Sequence, residues 1–315
     1  MKRSRALFLK LLQSGGDKMT RDSSRWRTLL YVYIFMLAYS FVFQVIPPVL
    51  GFIVSSLGIS HTQAGSLMSL FALPGIFISI PGGILADLYG PRRVSTAALA
   101  IALAGSLLVG LGKSYPLLVT GRLITGIGAG IIAIVSSQMI ARWFTKSDLG
   151  TAMGIYNTAM PVGTIFALNV FGRIAALSNW RLPVILTALY CLFVLTLFYF
   201  KHPGLPAEEE PLLQQKPEPH AKKQSLIKKG GAVWLVAFIW MMYNASAISY
   251  LTFAGDYYIK AGYDPGYAGF LSSLFMIGSL LFSPLVGYLT DRVGREEYFI
   301  IGGSTVLASL LLLLP

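Results

Sequence analysis

The chain repeats itself at a fixed offset of 204 residues, which restricts its fold more than any other feature. Ala64, Gly65, Leu67, Ser69, Leu70 and Phe71 return as Ala268, Gly269, Leu271, Ser273, Leu274 and Phe275. Ser79, Gly83, Leu85, Asp87 and Gly90 return as Ser283, Gly287, Leu289, Asp291 and Gly294. Between positions 64 and 90, 11 of 27 residues match without a gap. Both copies lie in long apolar stretches that end in a charged turn. The fold must hold two copies of one unit in like orientation.

Hydrophobic residues make up 55% of the chain and charged ones 12%, about half the charge of a soluble domain. Crossing a bilayer takes roughly 20 apolar residues. Nine spans are expected, over 28–55, 62–86, 93–112, 115–141, 149–172, 180–200, 232–256, 267–290 and 297–314. The class is an all-α membrane protein. With short loops between spans, successive helices run antiparallel.

The net charge of +12 invites a nucleic-acid reading. Its distribution argues against one. Apart from Arg122, 20 lysines and arginines fall on one side of the expected membrane and four on the other: Lys113, Arg173, Arg181 and Lys260. This asymmetry puts the N-terminus in the cytoplasm of a multi-pass protein of the cell membrane.

Residues 1–27 are expected to form a basic cytoplasmic tail, 28–201 a six-helix bundle, 202–230 a cytoplasmic linker, and 231–315 the first three helices of a second bundle. The linker holds Glu208–Glu210, two lysine pairs and five prolines, a composition that cannot bury a core. Lys10 interrupts the first apolar run and no small-residue cleavage site follows, so a removed signal peptide is not expected. Met19 is an alternative start. If the first half ends near Lys201, the same offset puts the end of the second near residue 405, about 90 residues past Pro315. The second bundle is therefore expected to be incomplete. The single Cys191 lies mid-span and frames no disulfide.

Within the spans, Gly126, Gly128 and Gly130 would let helix backbones approach closely. Pro47–Pro48, Pro74, Pro161 and Pro284 should bend their helices. Arg122 stands inside the fourth span, where a charge costs at least about 2.5–3.5 kcal/mol unless it faces the bundle interior or snorkels. It would either meet an anionic substrate or tune proton release, or else bond the backbone carbonyls of a bent neighbour. Polar cavity candidates are Tyr39, Gln44, Gln138, Asn157, Asn169, Tyr243 and Asn244, with Trp240. Tyr39 and Tyr243 are again 204 apart. Asp256 is the one acid near a span interior, and a loop position is expected over a proton site. His61, His202 and His220 are expected in loops, which leaves no cluster for an enzyme. No catalytic residue, metal site or cofactor is expected, and no nucleotide-binding loop occurs.

The turn after the second span reads Gly83-Ile-Leu-Ala-Asp87-Leu-Tyr-Gly90-Pro-Arg92-Arg93. It resembles the signature loop of the major facilitator superfamily. The second copy reads Gly287-Tyr-Leu-Thr-Asp291-Arg-Val-Gly294-Arg295 and departs from the pattern at Glu296 and Glu297. Gly121-Arg122-Leu-Ile-Thr-Gly126 is similar to the family's fourth-helix signature. The resemblance covers residues 27–315, about nine of twelve helices. It implies a latch between halves on the cytoplasmic side. Asp291 would face the start of the fifth helix, near the capping sequence Thr145-Lys146-Ser147-Asp148, and Asp87 the start of an eleventh helix outside this chain. Gly83 would pack against a helix of the other half. Gly154, Pro161 and Gly163 resemble part of an antiporter signature, but Met160 and Thr164–Ile165 stand where glycines are expected. The run Met160-Pro-Val-Gly-Thr164 is similar to cyanate-permease-like and other organic-anion members.

The combined reading is secondary transport of a small solute, by rocking of two bundles around a midplane site, with possible proton or ion coupling. Arg122, with no acid at mid-bundle, favours a small organic anion. The expected partners are this solute and the lipid bilayer, and the expected state is a monomer. A drug or metabolite efflux antiporter, a non-transporting sensor and a gene fragment are the alternatives.

Overall fold

The computed structural model describes residues 25–144, 148–201, 230–294, 298–299, 301–303 and 305. Residues 202–229 of the expected linker, residues 1–24 of the expected tail, and most of the ninth span lie outside the described residues, while Gly230 opens a helix. Eight long helices follow in order: α1 (Arg25–Leu57), α2 (His61–Tyr89), α3 (Pro91–Leu111), α4 (Tyr115–Trp143), α5 (Leu149–Leu177), α6 (Arg181–Lys201), α7 (Gly230–Lys260) and α8 (Pro265–Val293). Seven are long and apolar enough to cross a membrane, and α7 matches them in length with 31 residues.

Local chemistry sets the helix ends. Ser60 and Gln63 form a reciprocal capping box that starts α2, with bonds of 2.9 and 3.1 Å. His61 is therefore the first residue of a helix, not a loop residue as expected. Gly90 has φ 79° and ends α2, and Pro91 opens α3 at once. The Asp264 carboxylate caps the Gly266 amide of α8 at 2.8 Å, with Pro265 in the first turn. Gly294 closes α8 in the left-handed region, with φ 65°. The expected tail loses three residues to structure, since α1 already begins at Arg25. Helix α7 runs on to Lys260, so Asp256 sits in its last turns and not in a loop.

Two helices are broken, and both breaks face the centre. The α-helical part of α1 stops at residue 44, passes through a 3-10 turn at Pro47–Val49, and resumes as Leu50–Leu57. Pro47 and Pro48 have no N–H to continue the ladder. Helix α5 pauses at Thr158, three residues before Pro161, and carries a π-helical segment at Ala167–Phe171. By contrast, α2 runs unbroken through Pro74 and Pro81, and α8 through Pro284.

Helix α4 packs against both α2 and α3, and its glycines explain how. A Cβ on Gly126 would collide with the Phe71 carbonyl of α2. On Gly128 it would lie 2.5 Å from the Ala98 carbonyl of α3. In lipid, close packing of this kind replaces the hydrophobic effect as the force between helices. The buried core of the first six helices includes Phe35, Ile46, Leu67, Leu99, Ile132 and Phe198. Helix α8 lies along α5 for most of its length, and α7 meets α1 near its proline turn.

Candidate functional site

A cavity of about 580 Å³ lies between α1, α2, α4 and α5 on one side and α7 and α8 on the other. Tyr39 and Gln44 come from α1, Asn157 from α5, and Trp240, Tyr243 and Asn244 from α7. Met36, Met160, Met276, Ser279 and Ser283 complete the polar and sulfur-bearing part of the wall. None of the described lining residues bears a formal charge. The breaks in α1 and α5 put these groups there: Gln44 ends the first part of α1, and Asn157 ends the first part of α5.

The 204-residue offset reappears in the wall. Tyr39 packs on Phe71 at 6.1 Å between ring centres, and Tyr243 packs on Phe275 at 6.4 Å. Both members of the first pair map onto the second. Gln44 donates from Nε2 to Thr164 Oγ1 at 3.0 Å, and that hydroxyl donates to the Met160 carbonyl at 2.8 Å. The Gln44 Oε1 atom is buried and accepts no hydrogen bond from the described residues. Asn244 bonds the Trp240 carbonyl one turn back at 2.8 Å.

Two candidates lie elsewhere. The Gln138 amide nitrogen sits 3.4 Å from where a Gly83 Cβ would be, away from the cavity wall. Asn169 bridges α5 to α8 through Ser273 Oγ at 3.2 Å, an interhelical bond.

Arg122 is also absent from the wall. It is 2% exposed and spends its donors on backbone. Nε reaches the Leu67 carbonyl at 3.0 Å, and the two terminal nitrogens reach the carbonyls of Val42 at 2.6 Å and Phe43 at 3.4 Å. The guanidinium lies 4.3 Å from the Phe71 ring centre. The Phe43 carbonyl stands four residues before Pro47, which has no N–H to give it. Arg122 thus fills a vacancy that the proline turn creates.

At the end of the bundle that carries both glycine–aspartate–glycine turns, α8 meets α5. Asp291 Oδ1 accepts from the Gly150 N–H at 2.9 Å, and Oδ2 accepts from the Thr151 N–H and hydroxyl, both at 2.6 Å. A carboxylate on these first amides matches the positive end of a helix. A Cβ on Gly287 would collide with the Gly150 carbonyl, and one on Gly154 would lie 2.8 Å from the Ser283 carbonyl. Ser283 Oγ donates to the Gly154 carbonyl at 3.1 Å. Sequence reading missed Gly150, Thr151 and Ser283 as contact residues. The signal was available for Ser283, a repeat position, and for Gly150 and Gly154, one turn apart.

The first copy of the turn behaves differently. Asp87 pairs with Arg142 of α4 at 2.7 Å. Arg92 donates to the Tyr199 carbonyl at the end of α6 at 2.7 Å, and Arg93 is exposed. Gly83 packs beside Ile134 and Gln138 of α4. The helix that the resemblance assigns to that face lies outside this chain. Arg295 lies outside the described residues.

At the opposite end, Asp256 of α7 accepts from Lys260 at 2.9 Å and lies 3.5 Å from His61 Nδ1 of α2. Lys260 Nζ is 3.3 Å from His61 Nε2. A second cavity of about 380 Å³ lies beside Asp256, between the α1 proline turn and α8.

These features define a multi-pass helical membrane protein, built on a repeated unit, with a cavity between the repeats. The chain belongs to the Major Facilitator Superfamily, whose sequence model matches residues 32–315. It is 27% identical over 255 residues to the probable sulfoacetate transporter SauU of Cupriavidus necator, covering 76% of this chain and 59% of that one. It is 24% identical over 212 residues to the hexuronate transporter of Bacillus subtilis, covering 66% and 50%. The chain therefore spans between half and three fifths of the length of these curated relatives. Among solved structures, the xylose transporter XylE from E. coli superposes with a TM-score of 0.63 at 17% identity, over 86% of this chain and 72% of that one. That likeness concerns the fold.

Proposed function

We propose that the protein is a secondary transporter of a small organic anion, working by alternating access at the cell membrane with its N-terminus in the cytoplasm. The observation that carries this reading is the central cavity, bounded along the membrane normal by two contacts between the repeats. Asp291 on the α5 amides spans one end, and the His61–Asp256–Lys260 group spans the other. Opening one while the other stays shut would expose the cavity to one side at a time. On this reading the Asp291 contact is the cytoplasmic latch.

A volume of about 580 Å³ suits a small metabolite. The wall presents phenols and amides and no described carboxylate, which disfavours a cationic drug. Relatives named for sulfoacetate and hexuronate support an organic anion. Coupling to a proton or another ion would supply the driving force, with Asp256 as the candidate acid.

The test is uptake of radiolabelled sulfonates and small carboxylates by cells expressing the chain, against cells with empty vector. Uptake above background that saturates supports the reading. Equal uptake in both cell lines across the panel overturns it.

A further inference from the structure

Asp148 holds the capping position of α5 yet makes no side-chain bond to that helix. An aspartate there ordinarily accepts from the second or third amide of its own helix. In α5 those amides belong to Gly150 and Thr151, the same two that Asp291 holds from the opposite half. The Asp148 carboxylate instead takes the Arg25 guanidinium at 2.8 Å. Arg25 is the first residue of α1. Its guanidinium lies over Trp26 and Phe144, at 6.0 and 5.7 Å from the ring centres, and those two rings meet edge to face at 5.3 Å.

We infer that Arg25 is a positioning residue for the α5–α8 contact, because it draws Asp148 away from amides that Asp291 must reach. The inference rests on the transport reading only for what the contact does, not for its existence. Two carboxylates compete for one pair of amides. Asp148 has the local advantage, since it needs no closure between halves. Arg25 removes that competitor and neutralises a charge that would repel Asp291. Without Arg25, Asp148 would cap α5 itself, and Asp291 would lose its site.

The consequence runs opposite to a plain tether. If Arg25 only fastened α1 to the start of α5, removing either partner would do equal harm. If Arg25 sequesters Asp148, Arg25→Ala opens the contact, Asp148→Ala does not, and the double variant restores it.

The test is labelling of Ser279→Cys, a cavity position on α8, by a membrane-impermeant maleimide in inside-out vesicles, with Cys191→Ala as background. Arg25→Ala should raise the labelling rate about five-fold, the size of one ordinary capping interaction. Asp148→Ala should label at or below the parent rate, and Arg25→Ala with Asp148→Ala should return to it. Equal opening in both single variants, or a double variant that stays open, overturns the inference. Asp291→Asn in the same assay separates it from the transport reading. Faster labelling there with a flat Arg25→Ala response sinks the positioning role alone, and no change with Asp291→Asn sinks the latch itself.

Discussion

The Arg122 guanidinium donates to the Phe43 carbonyl, which Pro47 leaves without its helical partner. An arginine that reads as a substrate ligand is, in the fold, a clamp on the broken strand of backbone in α1. Replacing it with methionine leaves the buried Phe43 carbonyl, which Pro47 cannot serve, without a donor and removes the bonds to the Val42 and Leu67 carbonyls. Each unsatisfied buried polar group costs about 1–3 kcal/mol. We expect Arg122→Met to lower the melting temperature in detergent markedly, with any loss of uptake following loss of folded protein. An unchanged melting temperature with a raised KM would assign Arg122 to the solute.

The α5–α8 seam depends on glycine at one register. A methyl group at Gly287 meets the Gly150 carbonyl, whereas one at Gly278 of the same helix meets no atom of the described residues within 4 Å. Gly287→Ala should destabilise the protein by about 1–3 kcal/mol through forced separation of the two helices. Gly278→Ala should be neutral or mildly stabilising. Thermal denaturation of both variants checks this, and equal shifts would show that the seam yields without cost.

Asn157 and Tyr243 line the cavity and are exposed to it. If they bind solute, truncation should raise KM and spare the fold. Loss of one hydrogen bond of about 1 kcal/mol corresponds to a roughly five-fold rise. Uptake kinetics for Asn157→Ala and Tyr243→Phe, alongside melting curves, test this; an unchanged KM in both would place the solute elsewhere.

Asp256 is shared by Lys260 and His61, and only the His61 contact crosses between the halves. Both partners are largely exposed, so the whole group should stabilise the fold by less than about 1 kcal/mol. Its effect should show in access instead. Asp256→Asn should increase labelling of Ser279→Cys from the outer side with little change in melting temperature. A large melting shift with unchanged labelling would make the group a structural brace.

The sequence itself determined the architecture. The 204-residue offset, the long apolar runs and the glycine–aspartate–glycine turns specify an all-helical membrane fold and how the two halves correspond. They do so because spanning a bilayer demands continuous apolar helices and a repeated turn imposes a repeated packing. The apolar runs placed the starts of α2, α3 and α8 to within a few residues, and the structure shows that the Ser60 box, Pro91 and Asp264 set them. The facing of Asp291 toward α5 followed from the family resemblance.

Only the tertiary structure decided the partners of the polar groups. Arg122, Gln138 and Asn169 look alike as polar residues in apolar helices, and depth in a helix does not say which neighbour lies beside it. The fold sends the first to orphaned carbonyls, the second to the face of Gly83 and the third to Ser273, leaving Tyr39, Gln44, Asn157, Tyr243 and Asn244 around the cavity. Asp148 reads as a helix cap from local sequence. It gives that role up because Arg25, 123 residues away, arrives with a charge that local sequence cannot reveal. Helical periodicity is a local property, and the choice among possible hydrogen-bond partners is settled by which helices pack together.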